Sequence, residues 1–273
     1  MKLLRICSAA AMIPLLFAVA RRLPAQLPTA SSQPPAFEVA SVKPSVGTCP
    51  PVCGFIRPTV GNQGYHVEGA TIRTLLTVAY TVTDRQISGG PDWMNSARFD
   101  IEAKDSQPHT VDELHSMLQR LLEERFQLKV RHEARQETVA ALTVVKGAAN
   151  LTPHDPNDKD YPPISPRLAP GSDGTFCMGL SGRNVTMDYF AFSLSRILNR
   201  NVTDQTGLPG RYDLELRYAP DVPPNLNGSP VTLSADCRDM FSALPNQLGL
   251  RLESAKGPVP YLVVEKLEKP TAN

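Results

Sequence analysis

The first half of the chain contains a run of hydrophobic positions with helical spacing, followed by alternating ones. From 110 to 122 the apolar residues recur at intervals of three and four, which predicts an amphipathic helix. Thr110 is a suitable N-cap for this helix, with Glu113 three residues later as in a capping box. Residues 126–130 then alternate as a strand does, and 141–146 form a second, more hydrophobic strand.

A similar succession occurs near the C-terminus. Ser234 is expected to cap a helix that continues through Met240, and residues 248–252 then alternate like a strand. A hydrophobic strand at 261–266 closes this copy, as in the first. Pro245 departs from the pattern, and we expect it to end or kink the helix early.

The similarity between the two halves extends upstream, which indicates an internal repeat. Residues 69–102 align with 184–215, and each segment ends in an Arg-aromatic-Asp sequence after a Gly/Pro turn. Each copy therefore predicts helix, strand, strand and again helix, strand, strand. We expect an α+β fold made of two similar modules, with short helices packed on small mixed sheets, in which 66–146 and 182–266 superpose.

The N-terminus resembles a secretory signal peptide. Lys2 and Arg5 precede an apolar run over 6–20, which is short for a membrane-spanning helix. Cleavage near residue 26 predicts an exported protein, periplasmic or extracellular, with no membrane span in the mature chain. The alternative is an uncleaved anchor, which the basic pair at 21–22 would suit.

Composition shifts divide the rest of the chain. The stretch from 150 to 175 is rich in Pro, Asp, Asn, Ser and Gly, which is typical of a linker or exposed loop. The predicted organisation is a signal peptide at 1–26, a linker at 27–36, a first α+β module at 37–149, a Pro-rich linker at 150–175 and a second α+β module at 176–273.

Charge and aromatic content exclude some classes of function. Lys and Arg total 28 against 27 Asp and Glu, so the chain lacks the basic excess of an electrostatic nucleic-acid binder. Aromatic residues make up only 6%, which disfavours a stacking platform for bases or sugars. We therefore expect no nucleic-acid partner.

Four cysteines follow the predicted signal peptide, and an even number in an exported chain favours disulfides. Three pairings are possible and the sequence does not select one. A zinc site at the Cys49-Pro-Pro-Val-Cys53 segment would need further ligands, and the nearest histidine is His66. We expect at least one disulfide and no bound metal or other cofactor. The disulfide candidates are Cys49, Cys53, Cys177 and Cys237.

Motifs for known catalytic machinery are missing from the sequence: it has no zinc-protease His-Glu-x-x-His, no Gly-x-Ser-x-Gly elbow and no phosphate-binding glycine loop. Asp100 and Asp213 occupy matching positions in the repeat, and paired carboxylates can perform acid–base chemistry. Duplication explains the match without a site, and we expect Arg98 and Arg211 to pair with neighbouring carboxylates. We therefore predict no catalytic residues.

Trp93 is the one tryptophan of the chain and follows a Gly-Pro-Asp turn. A tryptophan in a partly exposed loop can anchor a binding partner. The alternative is that it packs on its own module. We keep Trp93 as a possible partner contact.

Several motifs together resemble a Solibacter-type family of uncharacterised exported proteins that is abundant in acidobacteria. The resemblance covers nearly the whole predicted mature chain. The motifs that carry it lie at 37–44, 98–101, 122–129, 204–213, 248–253 and 265–270.

This resemblance implies no particular activity. Some relatives carry the region behind a membrane metallopeptidase similar to antibiotic-sensor receptors, which implies sensing or interaction. The repeat also resembles the short N-terminal domain of secretins and TonB-dependent receptors, an interaction module. The resulting prediction is an exported, non-enzymatic binding or structural protein of the cell envelope, for which the expected partner is another envelope protein. The alternatives are a carboxylate-dependent hydrolase and a ligand-sensing ectodomain acting with a membrane peptidase.

Overall fold

A computed structural model describes residues 35–46, 54–145, 149–156, 164–171, 175–226 and 228–270. The predicted signal peptide at 1–26 lies outside the described residues. The described residues all belong to one compact unit. Among the described helices, none combines the length and the apolar character needed to cross a membrane.

The first repeat, residues 64–144, alternates short helices with strands. Two strands precede it, β1 (Val39–Pro44) and β2 (Phe55–Pro58). Its elements are β3 (Gly64–Thr71), α1 (Ile72–Ala79), β4 (Ile87–Gly89), β5 (Arg98–Lys104), α2 (Val111–Phe126) and β6 (Lys129–Val144).

The second repeat, residues 176–266, has the same order of elements. Strands β7 (Thr152–Pro153) and β8 (Ser165–Pro170) precede it. A small hairpin, β12 (Asn225–Leu226) with β13 (Ser229–Pro230), is inserted before its last helix. Its elements are β9 (Phe176–Val185), α3 (Met187–Leu198), β10 (Val202–Asp204), β11 (Tyr212–Tyr218), α4 (Met240–Leu248) and β14 (Leu250–Lys266).

Each repeat builds an antiparallel sheet of its own. The first sheet has the order β1-β5-β3-β2 and the second the order β7-β11-β9-β8. Phe99 pairs with Ala70 in the first, and Tyr212 pairs with Val185 in the second. The aromatic residues of the repeated motif therefore occupy corresponding positions, and the α+β class predicted from the sequence is confirmed.

A third sheet joins the two repeats, in the order β10-β6-β14-β4. The long strands β6 and β14 run antiparallel along their whole length, and Gln136 pairs with Pro258 near the middle. The short strands add in parallel at the edges, with Ile87 beside Leu262 and Val202 beside Ala140. Ile87 and Val202 begin corresponding strands, so the sheet has an approximate twofold axis through its centre.

The long strands exchange their ends between two hydrophobic cores. Leu262 and Val264, near the end of β14, are buried in the core of the first repeat. Leu142, near the end of β6, is buried in the core of the second repeat together with Leu250 from the start of β14. Each core is thus completed by a strand that belongs to the other repeat.

The expectation of two separate strands in each copy was wrong, because one continuous strand spans 129–144 and another spans 250–266. The intervening part of β6 is polar and mostly exposed, so it shows no hydrophobic alternation. Its side chains pair along the strand instead: Arg131 and Arg135 both contact Glu133. Because charged side chains occupy this part of the strand, a search for hydrophobic alternation did not predict it.

The second helix of the second copy also differs from its prediction. Asp239, rather than Ser234, is the N-cap, and its carboxylate accepts from the backbone N–H groups of Phe241 and Ser242. The helix continues through Pro245 to Leu248. Pro245 removes only the bond to the carbonyl four residues earlier, and burial of Leu248 holds the last turn in place.

The segment at 150–175, expected to be a linker or exposed loop, contributes strands to the second sheet. β7 pairs with β11, and β8 pairs with β9. Both lie at the edges of the sheet, where proline is tolerated because the outer N–H groups have no strand partner. This explains how a proline-rich segment can still be part of the fold.

Candidate functional site

The repeated Arg-aromatic-Asp motif holds a strand-to-helix connection in place. Gly69 has a left-handed backbone, with φ of 59°, where the register between β3 and β5 shifts. Its N–H donates to Asp100 Oδ1 at 2.7 Å, and its carbonyl accepts from Arg98 Nη1 at 2.8 Å. The backbone N–H and the backbone carbonyl of Gly69 therefore each have a side-chain hydrogen-bond partner.

The second repeat contains the same arrangement. Asn184, with φ of 56°, donates its N–H to Asp213 Oδ1 at 2.9 Å, and its carbonyl accepts from Arg211 Nη1 at 3.1 Å. His154 Nδ1 also lies 2.8 Å from this carboxylate oxygen. Asp100 and Asp213 are thus each bound to the backbone of their own repeat.

The two arginines differ from the expectation that both pair with carboxylates. Arg211 Nη2 contacts Asp112 Oδ2 at 2.5 Å and so links the second repeat to the start of α2. For Arg98 the bond to Gly69 is with a backbone carbonyl. In both repeats the arginine, two residues before the aspartate, donates to the backbone carbonyl of the positive-φ residue, which is Gly69 in the first repeat and Asn184 in the second.

A disulfide joins Cys177 to Cys237, with a Cα–Cα distance of 5.8 Å. It connects the start of β9 to the loop before α4. Cys49 and Cys53 lie outside the described residues.

Trp93 is half-buried and packs against its own repeat. Its ring meets Phe99 edge-on, with 6.4 Å between centroids, and Lys269 Nζ lies 5.7 Å from the indole centroid. The contact with Phe99 explains its burial, while its role toward a partner stays a prediction.

The histidines do not share one environment. His115 is only 6% exposed and lies against Tyr189 of α3, with 5.9 Å between the ring centroids. Burial lowers the pKa of His115 to about 4, because the charged ring loses its hydration. His66, on the exposed face of β3, contacts both Glu68 and Glu102, and these hydrogen bonds raise its pKa.

A groove of about 720 Å³ lies between the two repeats. Its first wall comes from the loop after α1 and the start of α2, and its other wall from α3 and β10. The centre of β14 contributes Pro258 and Pro260. Within α3 the rings of Tyr189 and Phe192, 5.8 Å apart, both line it. This volume falls within the range of small-ligand sites, about 300–1,000 Å³.

Three carboxylates line this groove, and they have different partners. Asp112 is paired with Arg211. Asp204 Oδ1 accepts from the backbone N–H of Thr206 at 2.8 Å. Asp188 makes no hydrogen bond or ion pair with any residue that the structure describes. Burial raises the pKa of Asp188, and the nearby charge of Asp204 raises it further.

Two buried acceptors belong to residues that line the groove. Asn201 Oδ1 and Thr203 Oγ1 have no hydrogen-bond partner in the described part of the chain. The amide of Asn201 is oriented by its Nδ2 group, which donates to Glu137 Oε2 at 2.9 Å. A buried acceptor without a hydrogen bond lowers the stability of the fold. Two such acceptors on residues that line one groove therefore favour a ligand that donates hydrogen bonds there.

The groove could not be found from sequence patterns alone. Its residues come from three separate parts of the chain, at 81–112, 186–205 and 258–260, and no short motif contains them. One signal was present: the aligned helices α1 and α3 carry Arg73 and Asp188 at the same position after their N-cap threonines. Within the described ranges, no group of three or more His, Cys, Asp or Glu side chains is arranged to hold a metal ion.

Comparisons with known proteins give a family without an assigned activity. No curated protein and no solved structure matches the chain. A family model described as "Protein of unknown function (DUF3738)" matches residues 73–267, which include most of both repeats. The chain therefore belongs to the DUF3738 family of proteins of unknown function.

Proposed function

We propose that the protein is an exported, non-enzymatic binding protein of the cell envelope, and that the groove between the repeats is its binding site. The observation that carries this proposal is the groove itself, because both repeats contribute polar side chains to one concavity and α3 adds two aromatic rings. Asp100 and Asp213 are each committed to a backbone group, which leaves them unsuited to acid–base work.

Export is supported by two independent features. The first is the apolar run at 6–20 with its preceding basic residues. The second is the Cys177–Cys237 disulfide, since disulfides persist in oxidising compartments. The envelope is therefore the place where we expect the ligand or partner of the groove.

The test is chemical crosslinking in native envelopes with a variant that fills the groove. Gln205→Trp places a large ring at an exposed lining position, while the backbone N–H of Gln205 can still bond to Leu142. Val222→Trp is the control, because Val222 is 79% exposed and does not line the groove.

We expect wild type and Val222→Trp to give the same crosslinked product, and Gln205→Trp to lose it while keeping the wild-type melting curve. A product that Gln205→Trp retains in full would show that the groove is not the binding site.

A carboxylate-dependent hydrolase is the second candidate, and Asp188 is the observation that favours it. A carboxyl group with a raised pKa beside a second carboxylate, here Asp204, is an arrangement that acid–base catalysis uses. The test is turnover of chromogenic ester, peptide and glycoside substrates. Turnover by wild type that is lost in folded Asp188→Asn would select the hydrolase over the binding protein.

A further inference from the structure

The two repeats carry side chains of opposite charge at the corresponding position near the start of α1 and α3. Thr71 and Thr186 cap these helices identically, each accepting from the backbone N–H three residues later at 3.2 Å. Two residues after the cap, the first repeat has Arg73 and the second has Asp188. A basic side chain in one copy is replaced by an acidic one in the other.

In the first repeat, Arg73 fills the space beside its helix. Its Nε donates to Asn95 Oδ1 at 2.5 Å, and its Nη1 donates to the carbonyls of Asp84 at 2.9 Å and Ile87 at 3.3 Å. These bonds tie α1 to the two short 3-10 segments that follow it, Asp84–Gln86 and Asp92–Asn95. The guanidinium is therefore part of the first repeat's own packing.

In the second repeat the corresponding space belongs to the groove. Val202, the counterpart of Ile87, has its carbonyl bound by Ser195 Oγ at 3.3 Å, so no arginine is required there. Asp188 opens toward the groove without a bonding partner in the described part of the chain, and Asp204 adds a second negative charge nearby. No described residue that lines the groove is a Lys, Arg or His.

The other groove residues also suit a cation with N–H donors. The buried acceptors Asn201 Oδ1 and Thr203 Oγ1 lack donors. The aromatic wall can accept a positive charge on its ring faces, and the guanidinium of Arg196 already lies 5.9 Å from the centroid of Phe192. Carboxylates, unpaired acceptors and aromatic rings are together the groups that bind an alkylammonium or guanidinium ion.

We propose that the groove binds an organic cation that carries several amino groups, either a free polyamine or the side chains of a lysine-containing peptide. This inference rests on the proposed function, since it names the ligand class of the same groove. The cation would take the place in the second repeat that the Arg73 guanidinium takes in the first, between helix and following strand, with Asp188 as its principal counter-charge.

Isothermal titration of the exported protein with spermidine and with trilysine tests the proposal. Asp188→Asn removes the central charge with almost no change in shape. Asp221→Asn is the matched control, because Asp221 is exposed, lies in the loop before the β12–β13 hairpin and does not line the groove.

We expect at least one probe to bind wild type and Asp221→Asn equally, and Asp188→Asn to bind about threefold to fivefold more weakly, as for loss of a solvent-exposed ion pair. Preference for trilysine assigns the cation to a peptide, and preference for spermidine assigns it to a free polyamine. Failure of wild type to bind either probe, or equal binding by Asp188→Asn, overturns the proposal.

The crosslinking result distinguishes a wrong ligand class from a wrong binding site. Loss of the envelope crosslink in Gln205→Trp, together with no binding of either cation, would keep the groove as the site and reject the ligand class. A cation that binds Gln205→Trp as well as wild type would show that it occupies another surface, which also rejects the proposal.

Discussion

Truncation of Asp100 to alanine is the most direct test of the structural role given to the repeated motif. The change removes the acceptor of the Gly69 N–H, which lies 2.7 Å from Oδ1. Gly69 adopts φ of 59° at a register shift in the sheet, and its neighbour Ala70 is fully buried. The N–H would be left without its partner at a point where the sheet ladder is already interrupted.

The expected loss follows from the kind of bond removed. Hydrogen bonds to charged groups contribute about 1.5–3 kcal/mol, and the side chain of Asp100 is only partly buried, so we expect about 1–2 kcal/mol. For a chain of this size that corresponds to a fall of roughly 2–8 °C in the melting temperature. Asp100→Asn keeps an acceptor and should lose about half as much.

The assay is thermal and urea unfolding followed by circular dichroism. Asp221→Ala is the control, since it removes an exposed aspartate outside the motif. Asp213→Ala should resemble Asp100→Ala, and the losses should add in the double variant because the sites lie in different sheets. Equal melting of Asp100→Ala and Asp221→Ala would refute the role in backbone support.

Three further outcomes are expected. Unfolding of the Cys177→Ser/Cys237→Ser variant should show a loss of about 4 kcal/mol, since the disulfide closes a separation of 60 residues; an unchanged unfolding midpoint would contradict this. Because the pKa of His115 is lowered to about 4, protonation opposes folding, so stability should fall by about 3 kcal/mol between pH 6.5 and 4. His115→Leu should lack that decline, and an identical pH profile would count against the buried neutral ring. N-terminal sequencing of exported protein should begin at Arg21 or later, and an intact Met1 would argue for an uncleaved anchor.

The repeat and its local elements could be predicted because their signals are local. The capping box of α2 was legible from Thr110 and Glu113, and the structure contains both of its hydrogen bonds. The Arg-aromatic-Asp motif marked corresponding strands because its bonds to Gly69 and Asn184 reach only to the neighbouring strand. Hydrophobic spacing and short-range side-chain hydrogen bonds therefore allow helices, strands and repeats to be predicted from the sequence.

The features that escaped prediction depend on partners far away in the chain. The middle of β6 is a strand because β14 pairs with it, and Arg135 there stacks on Tyr261 at 4.1 Å rather than facing a core. The groove requires the third sheet to bring the start of α2 close to α3. A helix propensity penalty at Pro245 was likewise outweighed by burial of Leu244 and Leu248.

The exchanged strands also determine when the protein can finish folding. The core of the first repeat lacks Leu262 and Val264 until almost the entire chain is available, and Leu262 pairs with His132, 130 positions earlier in the sequence (262 − 132 = 130). Such distant pairings slow folding, because a long loop must close before any contact compensates its entropy. For a chain exported as proposed here, the first core can be completed only after its last strand has crossed the membrane.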